Sequence, residues 1–186
     1  MYKTKVISIA SVSGGGKTAV TKELRNRFRH AETLFFDNYD FHGAPDDLTQ
    51  WVKEGPDYNQ WNLDPLIADL KSLIEGDVPP EYIIMDYPFS YKNDKLKNFI
   101  DLSIYIETPL DIAMGRRLIR DFPYAASIEI LNDIEFYLIS GRDAYLEMED
   151  TIKPNADFIM DGAMTVSKLV DAILKKLKIE SSSTVS

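Results

Sequence analysis

Residues 6–20 read VISIASVSGGGKTAV and join an apolar run, a glycine-rich loop and the start of a helix. The run at residues 6–10 is typical of a buried β-strand. The residues from Lys17 onward have the pattern of a helix, and the glycines lie between the two elements. This strand–loop–helix order is the context that a phosphate-binding P-loop requires.

The glycine-rich loop has the chemistry of a nucleotide site. Its glycines let the backbone curl so that N–H groups point inward, and the following helix N-terminus adds partial positive charge. Lys17 can reach the β- and γ-phosphates of a nucleotide, and the Thr18 hydroxyl can ligate Mg²⁺. The sequence therefore predicts binding of ATP and Mg²⁺, with the nucleotide held by Ser13, Gly14, Gly15, Gly16, Lys17, Thr18 and Ala19.

One position departs from the P-loop pattern G-x-x-x-x-G-K-[ST]. Ser11 stands where the pattern has its first glycine. Serine is small and occurs in many turn conformations, so we interpret the loop as a variant P-loop. The alternative is a glycine-rich turn that precedes a lysine by coincidence, and the flanking strand and helix argue against it.

Composition limits the classes of protein to consider. The chain has 186 residues, which predicts one domain, and 30 acidic against 21 basic residues give a net charge of -9. Such a charge disfavours a nucleic-acid partner, and the chain has no cysteine. No apolar run reaches the length of a membrane span and no signal peptide is visible, so we expect no membrane partner and a cytoplasmic location.

Apolar runs alternate with helical patterns along the chain. The fold class predicted is therefore α/β: a P-loop NTPase with three α/β/α layers and a five-stranded parallel sheet. We expect a single domain over residues 1–180, a lid near 116–126 and a flexible tail at 181–186. The predicted strands are 3–10, 31–36, 82–85, 102–106 and 156–160, and the predicted helices are 17–29, 64–75, 109–121, 127–150 and 166–177.

Two acidic residues follow predicted strands and are the candidate catalytic and metal groups. Ligands of parallel sheets bind outside the carboxyl ends of the strands, so Asp37, Asp86 and the P-loop should converge. Asp86 is predicted to hold Mg²⁺ together with Thr18, and its alternative role is a loop or capping acid. Asp37 is predicted to be the base that accepts a hydroxyl proton, with Asp40 as its rival.

Arg116, Arg117 and Arg120 lie in one predicted helix that Pro123 ends. The first and third are four residues apart and share a face, which suggests a lid that closes over the transferred phosphate. We predict that Arg116 and Arg120 are catalytic, with Lys17, and that Arg117 binds the nucleotide. The alternative is a solvated helix face with salt bridges to nearby acids.

Several aromatic residues lie in loops at the predicted active edge of the sheet: Tyr39, Phe41, Tyr58, Trp61 and Tyr91. One or two of them could stack on a ring of a substrate, although for each residue taken alone we favour packing of its loop against the core. We predict that the substrate contacts Asp37, Tyr39, Asp57 and Trp61. The two histidines are isolated and support no metal site.

These motifs, in this order, resemble the uridine kinase and phosphoribulokinase group of P-loop kinases. FFDNYDF at residues 35–41 is similar to the family's D-S-F-Y segment, which implies that Asp37 is the catalytic acid. GPDYNQWNLDPL at 55–66 resembles the segment that binds the ribose hydroxyls, which implies a substrate role for Asp57 and a cap at Asp64. YIIMDYPF at 82–89 resembles the strand that ends in E-G-I, with Asp86 in place of Glu.

The same resemblance covers the arginine-rich helix and extends to about residue 162. GRRLIRD at 115–121 is similar to the family's R-R-x-x-R-D, which places the lid arginines at 116, 117 and 120. Uridine kinases carry a hairpin with a Y-D-x-x-x-H motif that reads the pyrimidine, and here residues 76–81 lead directly to the next strand. The expected acceptor is a small-molecule hydroxyl, with a nucleoside, a sugar or a vitamin left open, and nicotinamide riboside kinase-like activity among them.

Three functions remain open on the sequence alone. The first is an ATP- and Mg²⁺-dependent kinase, which the arginines and Asp37 favour. The second is a nucleotide-binding regulatory or switch protein without turnover, which Ser11 and the missing hairpin motivate. The third is a nucleotide hydrolase, for which no water-orienting residue is evident. Assembly into a homo-oligomer is also left open.

Overall fold

The computed structural model describes residues 3–183, with side chains described through residue 178. Five strands form one sheet in the order β2-β3-β1-β4-β5, and every adjacent pair is parallel. This arrangement confirms the predicted fold class. The strands are β1 (Lys5–Ala10), β2 (Ala31–Phe35), β3 (Tyr82–Asp86), β4 (Leu102–Glu107) and β5 (Phe158–Asp161).

α-Helices follow β1, β2, β4 and β5 and cover both faces of the sheet, whereas β3 and β4 are joined by a loop with a short 3₁₀ turn at Leu96–Phe99. The α-helices are α1 (Lys17–Arg27), α2 (Leu48–Lys53), α3 (Asp64–Glu75), α4 (Leu110–Asp121), α5 (Ser127–Phe136), α6 (Arg142–Glu147) and α7 (Val166–Ser183). π-Helical turns at Tyr137–Gly141 and Met148–Ile152 follow α5 and α6, so the predicted long helix of 127–150 is one helical run with two irregular turns.

Alternate residues of the central strand enter two separate apolar cores. Ile7 and Ile9 of β1 pack with α1 and α7, whereas Val6 and Ala10 pack on the opposite face with α3. Every residue of β1 after Lys5 is buried. Burial on both faces explains why the strand sequences read as continuous apolar runs.

Apart from shifts of one or two residues at the ends of other elements, three predicted boundaries differ from the structure. β5 begins at Phe158 rather than 156, because the Asp157 carboxylate itself accepts the Ser103 amide N–H, at 2.8 Å. Asp64 is not the cap of α3: it is the first helical residue, Asn62 Oδ1 accepts its N–H, and its carboxylate pairs with Lys95 at 2.8 Å.

The third difference concerns the end of the chain. α7 continues to Ser183, so the first residues of the predicted flexible tail are helical, and residues 184–186 lie outside the described part. Within the described residues, no helix has both the length and the apolar character needed to cross a membrane.

Candidate active site

The loop after β1 has the backbone conformation of a phosphate cradle. Gly14 and Gly16 have φ angles of 75° and 104°, in the left-handed region that glycine adopts without steric cost. α1 begins at Lys17, and no side chain caps its first N–H groups. Those N–H groups and the positive end of the helix dipole are therefore available to an anion.

Three contacts hold this loop against the rest of the fold. Ser11 Oγ donates a hydrogen bond to the Ile106 carbonyl of β4 at 2.9 Å, and Thr108 Oγ1 donates to the Gly15 carbonyl at 2.8 Å. A Cβ atom on Gly14 would lie 2.1 Å from the Ala113 carbonyl oxygen of α4. The backbones of the loop and α4 are thus in direct contact, and only glycine fits between them.

Ser11 fits the loop without backbone strain. Its side chain is 1% exposed and hydrogen-bonded, and its φ angle is not in the left-handed region. The first position of the pattern does not need glycine here, because the hydroxyl is directed to the Ile106 carbonyl of the neighbouring strand β4 and is hydrogen-bonded there.

Thr18 and Asp86 meet beside the phosphate loop. Thr18 Oγ1 donates to Asp86 Oδ2 at 2.5 Å, and Lys17 Nζ lies 3.9 Å from Asp86 Oδ1. Asp86 ends β3, which pairs with β1, so the parallel register brings the carboxylate to the loop. The sequence prediction that these residues converge is what the structure shows.

The Asp86 side chain is buried and largely removed from water, since its exposed fraction is 4%. Burial raises the pKa of the Asp86 carboxyl, the nearby Lys17 and the Thr18 hydroxyl act to lower it, and Asp37 raises it further. The net effect is a raised pKa of Asp86, so the positive charge near the carboxylate does not fully stabilise its ionised form. A divalent cation would supply the missing positive charge.

Asp37 lies in a short turn, Phe36–Asn38, directly after β2. It lines the same cavity as Lys17 and Thr18, and its charge acts on Asp86. Asp40, the rival carboxylate, is exposed and does not line this cavity. Geometry therefore favours Asp37 of the two.

The cavity has a volume of about 610 Å³ and runs from the phosphate loop to a largely apolar wall. Its phosphate end is formed by small, hydroxyl and charged side chains, and its far end by aromatic and aliphatic ones. The lining residues are Ser11, Val12, Ser13, Lys17, Thr18, Phe36, Asp37, Leu48, Trp51, Val52, Tyr58, Trp61, Pro88, Phe89, Arg120, Asp121, Ala144, Tyr145, Glu147 and Met148.

The three arginines of α4 have three different surroundings. Arg120 lines the cavity: its Nη2 lies 3.3 Å from Ser13 Oγ while its guanidinium pairs with Asp121. The prediction that Arg116 and Arg120 serve one site together is not met. Arg116 Nη1 donates to the Gly162 carbonyl at 3.1 Å and lies outside the cavity.

Arg117 has a structural partner in place of a ligand. Both of its terminal nitrogens donate to the Asp133 carboxylate of α5, and the exposed fractions of the two side chains are 16% and 18%. The orientation of α4 explains why Arg116 and Arg117 do not line the cavity. Its backbone at Ala113 and Arg117 packs on Gly14, which turns Arg116 outward and ties Arg117 to α5.

The predicted substrate residues divide into two groups. Trp61 lines the cavity, as does Asp37. Tyr39 does not, because its hydroxyl donates to Asp69 of α3 at 2.8 Å. Asp57 is exposed and caps the short turn Tyr58–Gln60 by accepting the Asn59 N–H, so its predicted contact with substrate is not supported by the structure.

Several cavity residues were absent from the sequence prediction. Phe36, Trp51 and Phe89 belong to an aromatic cluster around Trp61, and Glu147 comes from α6, which packs against α2. The pair of tryptophans in residues 45–62 was the available signal for Trp51. Nothing local in the sequence marks Glu147, because its site depends on contacts between distant segments.

Solved structures share this fold over nearly the whole chain. A gluconokinase from Sinorhizobium meliloti is 13% identical with a TM-score of 0.55, covering 97% of this chain and 99% of that one. Shikimate kinase from Aquifex aeolicus is 15% identical with a TM-score of 0.51, covering 95% and 98%. The sheet, the loop and these likenesses define the fold of a P-loop kinase.

Sequence relatives narrow that class, although no protein-family model matches the chain. The uridine kinase of Macrococcus caseolyticus is 27% identical, covering 96% of this chain and 98% of the relative. That of Staphylococcus carnosus is 28% identical, covering 96% and 97%. At this identity, and over nearly the full length of both chains, the chain is similar to uridine kinases as a distant homologue.

Proposed function

We propose that the protein is an ATP- and Mg²⁺-dependent kinase that transfers the γ-phosphoryl group to a hydroxyl of a small, nucleoside-like acceptor. The observation that carries the proposal is that Asp37, Lys17 and Thr18 line one cavity with an apolar far wall. A site built only to bind or hydrolyse a nucleotide would not need a ring-sized apolar chamber beyond the phosphates.

The nucleotide half of the site rests on the glycine-rich loop. The backbone N–H groups of Gly14, Gly16 and the first turn of α1 would hold the phosphates, with Lys17 as the mobile cation. Ser13, Thr18 and Ala19 complete this segment. Arg117, held by Asp133, would act on the nucleotide only through the position of α4 against Gly14.

The residues present fit a Mg²⁺ ion. Thr18 and Asp86 offer hard oxygen ligands 2.5 Å apart, and the burial of Asp86 leaves its carboxylate in need of positive charge. Within the described residues, no cluster of three or more potential ligands could hold a metal without substrate. That suits Mg²⁺, which binds through few carboxylates and substrate phosphates and, when bound, neutralises charge that develops on them.

The proposed transfer forms a bond between the acceptor oxygen and the γ-phosphorus and breaks the bond from that phosphorus to the β–γ bridging oxygen. ADP leaves with the bridging oxygen, and the hydroxyl proton passes to Asp37. Lys17 and Arg120 line the same cavity, which supports the proposal that they stabilise charge on the transferred group. α4 and the following residues, about 116–126, form the proposed lid of a single domain over 1–180.

We propose only a nucleoside-like acceptor, because the sequence predicts that the pyrimidine-reading hairpin of uridine kinases is missing. Residues 76–81 join α3 to β3 without a strand of their own. The acceptor end instead depends on α2, on Trp61 and on α6. We therefore propose a kinase of this family whose acceptor is not fixed as uridine.

The test is acceptor-dependent ADP formation. ADP release would be measured with Mg·ATP alone and with a panel of nucleosides, sugars and hydroxylated ring compounds. The kinase proposal expects at least a tenfold increase in ADP with one acceptor class and a phosphorylated product by mass spectrometry. Tight ATP binding without turnover would support the regulatory alternative, and equal ADP release without acceptor would support a hydrolase.

A further inference from the structure

The far end of the cavity is an aromatic box, which we define as Phe36, Trp51, Tyr58, Trp61 and Phe89. The Trp61 ring centroid lies 5.4 Å from that of Phe36 and 5.1 Å from that of Phe89. Trp51 meets Tyr58 at 5.2 Å with an interplanar angle of 82°, and meets Trp61 at 6.2 Å and 75°. At these distances the rings contact one another at steep angles, so the box is a packed cluster with one side toward the ligand space, and all five rings line one cavity.

Three carboxylates line the cavity, and one of them, Glu147, is hydrogen-bonded to a ring of the aromatic box. Glu147 of α6 lines the cavity and is half-buried, and its Oε1 accepts the Tyr58 hydroxyl at 2.8 Å. No lysine, arginine or histidine within the described residues forms an ion pair with it. Its neighbour Glu149 differs, since Lys153 lies 2.6 Å from that carboxylate.

Protein groups alone do not fully compensate a negative charge on Glu147 beside the aromatic box. A carboxylate that leaves bulk water loses solvation, and one neutral hydrogen bond from Tyr58 replaces only part of it. Aromatic rings attract cations electrostatically, tryptophan most strongly. The two effects add, because the carboxylate and the rings share one chamber, and the net charge of -9 also draws cations toward the molecule.

We propose that the acceptor is a planar, positively charged ring that carries a hydroxyl group, and that Glu147 determines this specificity. The inference rests on the proposed kinase function. Phe36 and Asp37 are consecutive, so the box begins beside the proposed base. A ring in the box can therefore present a short hydroxyl-bearing substituent to Asp37.

A matched pair of ring alcohols tests the proposal directly. The cationic probe is N-methyl-3-(hydroxymethyl)pyridinium, and the neutral probe is 3-(hydroxymethyl)pyridine at a pH where its nitrogen is unprotonated. The chain has two tryptophans and both line the cavity, so quenching of intrinsic fluorescence reports binding. We expect the cation to bind at least tenfold more tightly than the neutral ring.

The Glu147→Gln variant identifies the cause of that preference. Glutamine keeps the size of the side chain and an oxygen for the Tyr58 hydroxyl, so the fold should persist, and a thermal melt checks this. We expect the preference for the cation to fall below threefold while binding of the neutral ring is unchanged. Glu135→Gln, an exposed charge on α5 outside the cavity, should retain the full preference.

Four results would overturn the inference: equal binding of the two probes, tighter binding of the neutral one, no binding of either, or a preference that survives in Glu147→Gln. ADP formation with each probe separates this failure from that of the kinase proposal. Turnover with the neutral ring and no preference for the cation overturns the inference and leaves the kinase intact. Binding of the cation without ADP formation by any acceptor overturns the kinase function on which the inference rests.

Discussion

The hydroxyl of Ser11 occupies the space that a side chain on residue 15 would fill. A Cβ atom built on Gly15 would lie 1.7 Å from Ser11 Oγ. The same oxygen donates to the Ile106 carbonyl at 2.9 Å, so it cannot move aside without losing a buried hydrogen bond. Ser11 and Gly15 are therefore a complementary pair within the phosphate loop.

This pairing predicts a strong interaction between substitutions at the two positions. Gly15→Ala should destabilise the fold by about 1–3 kcal/mol, the usual cost of overpacking, and weaken ATP binding by distorting the loop. Ser11→Gly in the same chain removes the clashing oxygen and should recover most of both losses. Melting temperature and ATP affinity of the two single variants and the double variant measure the coupling.

The recovery should be incomplete, because a Cβ on residue 15 would also lie 2.9 Å from the Val12 carbonyl oxygen. Gly16→Ala is the matched control: no atom crowds that position, so Ser11→Gly should not rescue it. Simple additivity of the Ser11 and Gly15 substitutions would contradict the complementary-pair interpretation.

Lys17→Ala should abolish phosphoryl transfer in a chain that stays folded. Lys17 lines the cavity, and its side-chain nitrogen is 3.9 Å from Asp86 rather than packed in the apolar core. Single-turnover ADP formation and a thermal melt measure the two effects separately. Wild-type turnover in this variant would mean that the glycine-rich loop does not bind the reacting phosphates.

Asp37→Asn should lower kcat by roughly a hundredfold to ten-thousandfold with ATP affinity largely kept, as expected when a general base is lost. Asp40→Asn is the control, since Asp40 is exposed and outside the cavity. A loss that high Mg²⁺ concentration restores would reassign Asp37 to ordering the metal. Collapse of kcat in the Asp40 variant alone would move the base three residues along the chain.

Arg120→Ala should lower kcat more than it raises the KM of the acceptor, because its contact with the transferred group strengthens in the transition state. Arg116→Ala should have a smaller effect on kcat, since Arg116 binds the Gly162 carbonyl outside the cavity. Steady-state kinetics give kcat and the KM of the acceptor for each variant. An equal loss of kcat in both would restore the arrangement predicted from the sequence.

The raised pKa of Asp86 predicts a pH dependence of stability in the absence of nucleotide and metal. Between its ordinary and raised pKa the native state binds more protons than the unfolded chain, so stability falls as pH rises through this interval. Melting temperatures of the wild type should show this decline, and Asp86→Asn should lack it. Parallel pH profiles of the two proteins would show that burial does not hold the proton on Asp86.

The sequence predicted the parts of the site that a local pattern and one rule of sheet geometry define. The phosphate loop is recognisable from its own residues. Asp37 and Asp86 follow buried strands, and the carboxyl ends of parallel strands meet at one edge. These residues needed no knowledge of the rest of the fold.

Residues placed by tertiary packing could not be predicted in this way. The orientation of α4 is set by the contact of Gly14 with the Ala113 backbone, and helical spacing alone grouped Arg116 with Arg120. Glu147 meets Tyr58 across 89 positions of sequence. Tyr39 and Asp57 sit in loops of suitable composition, yet each has a partner outside the cavity.

The two ends of the cavity are formed largely by different segments of the chain. The phosphate end is formed by residues that follow or end strands β1, β2 and β3, which are neighbours in the order β2-β3-β1. Three of the five rings at the aromatic end, Trp51, Tyr58 and Trp61, belong to the segment between β2 and α3, whereas Phe36 and Phe89 follow β2 and β3. Substitutions between β2 and α3 would thus change part of the apolar wall and leave the glycine-rich loop unaltered, so the two ends of the cavity can be engineered separately.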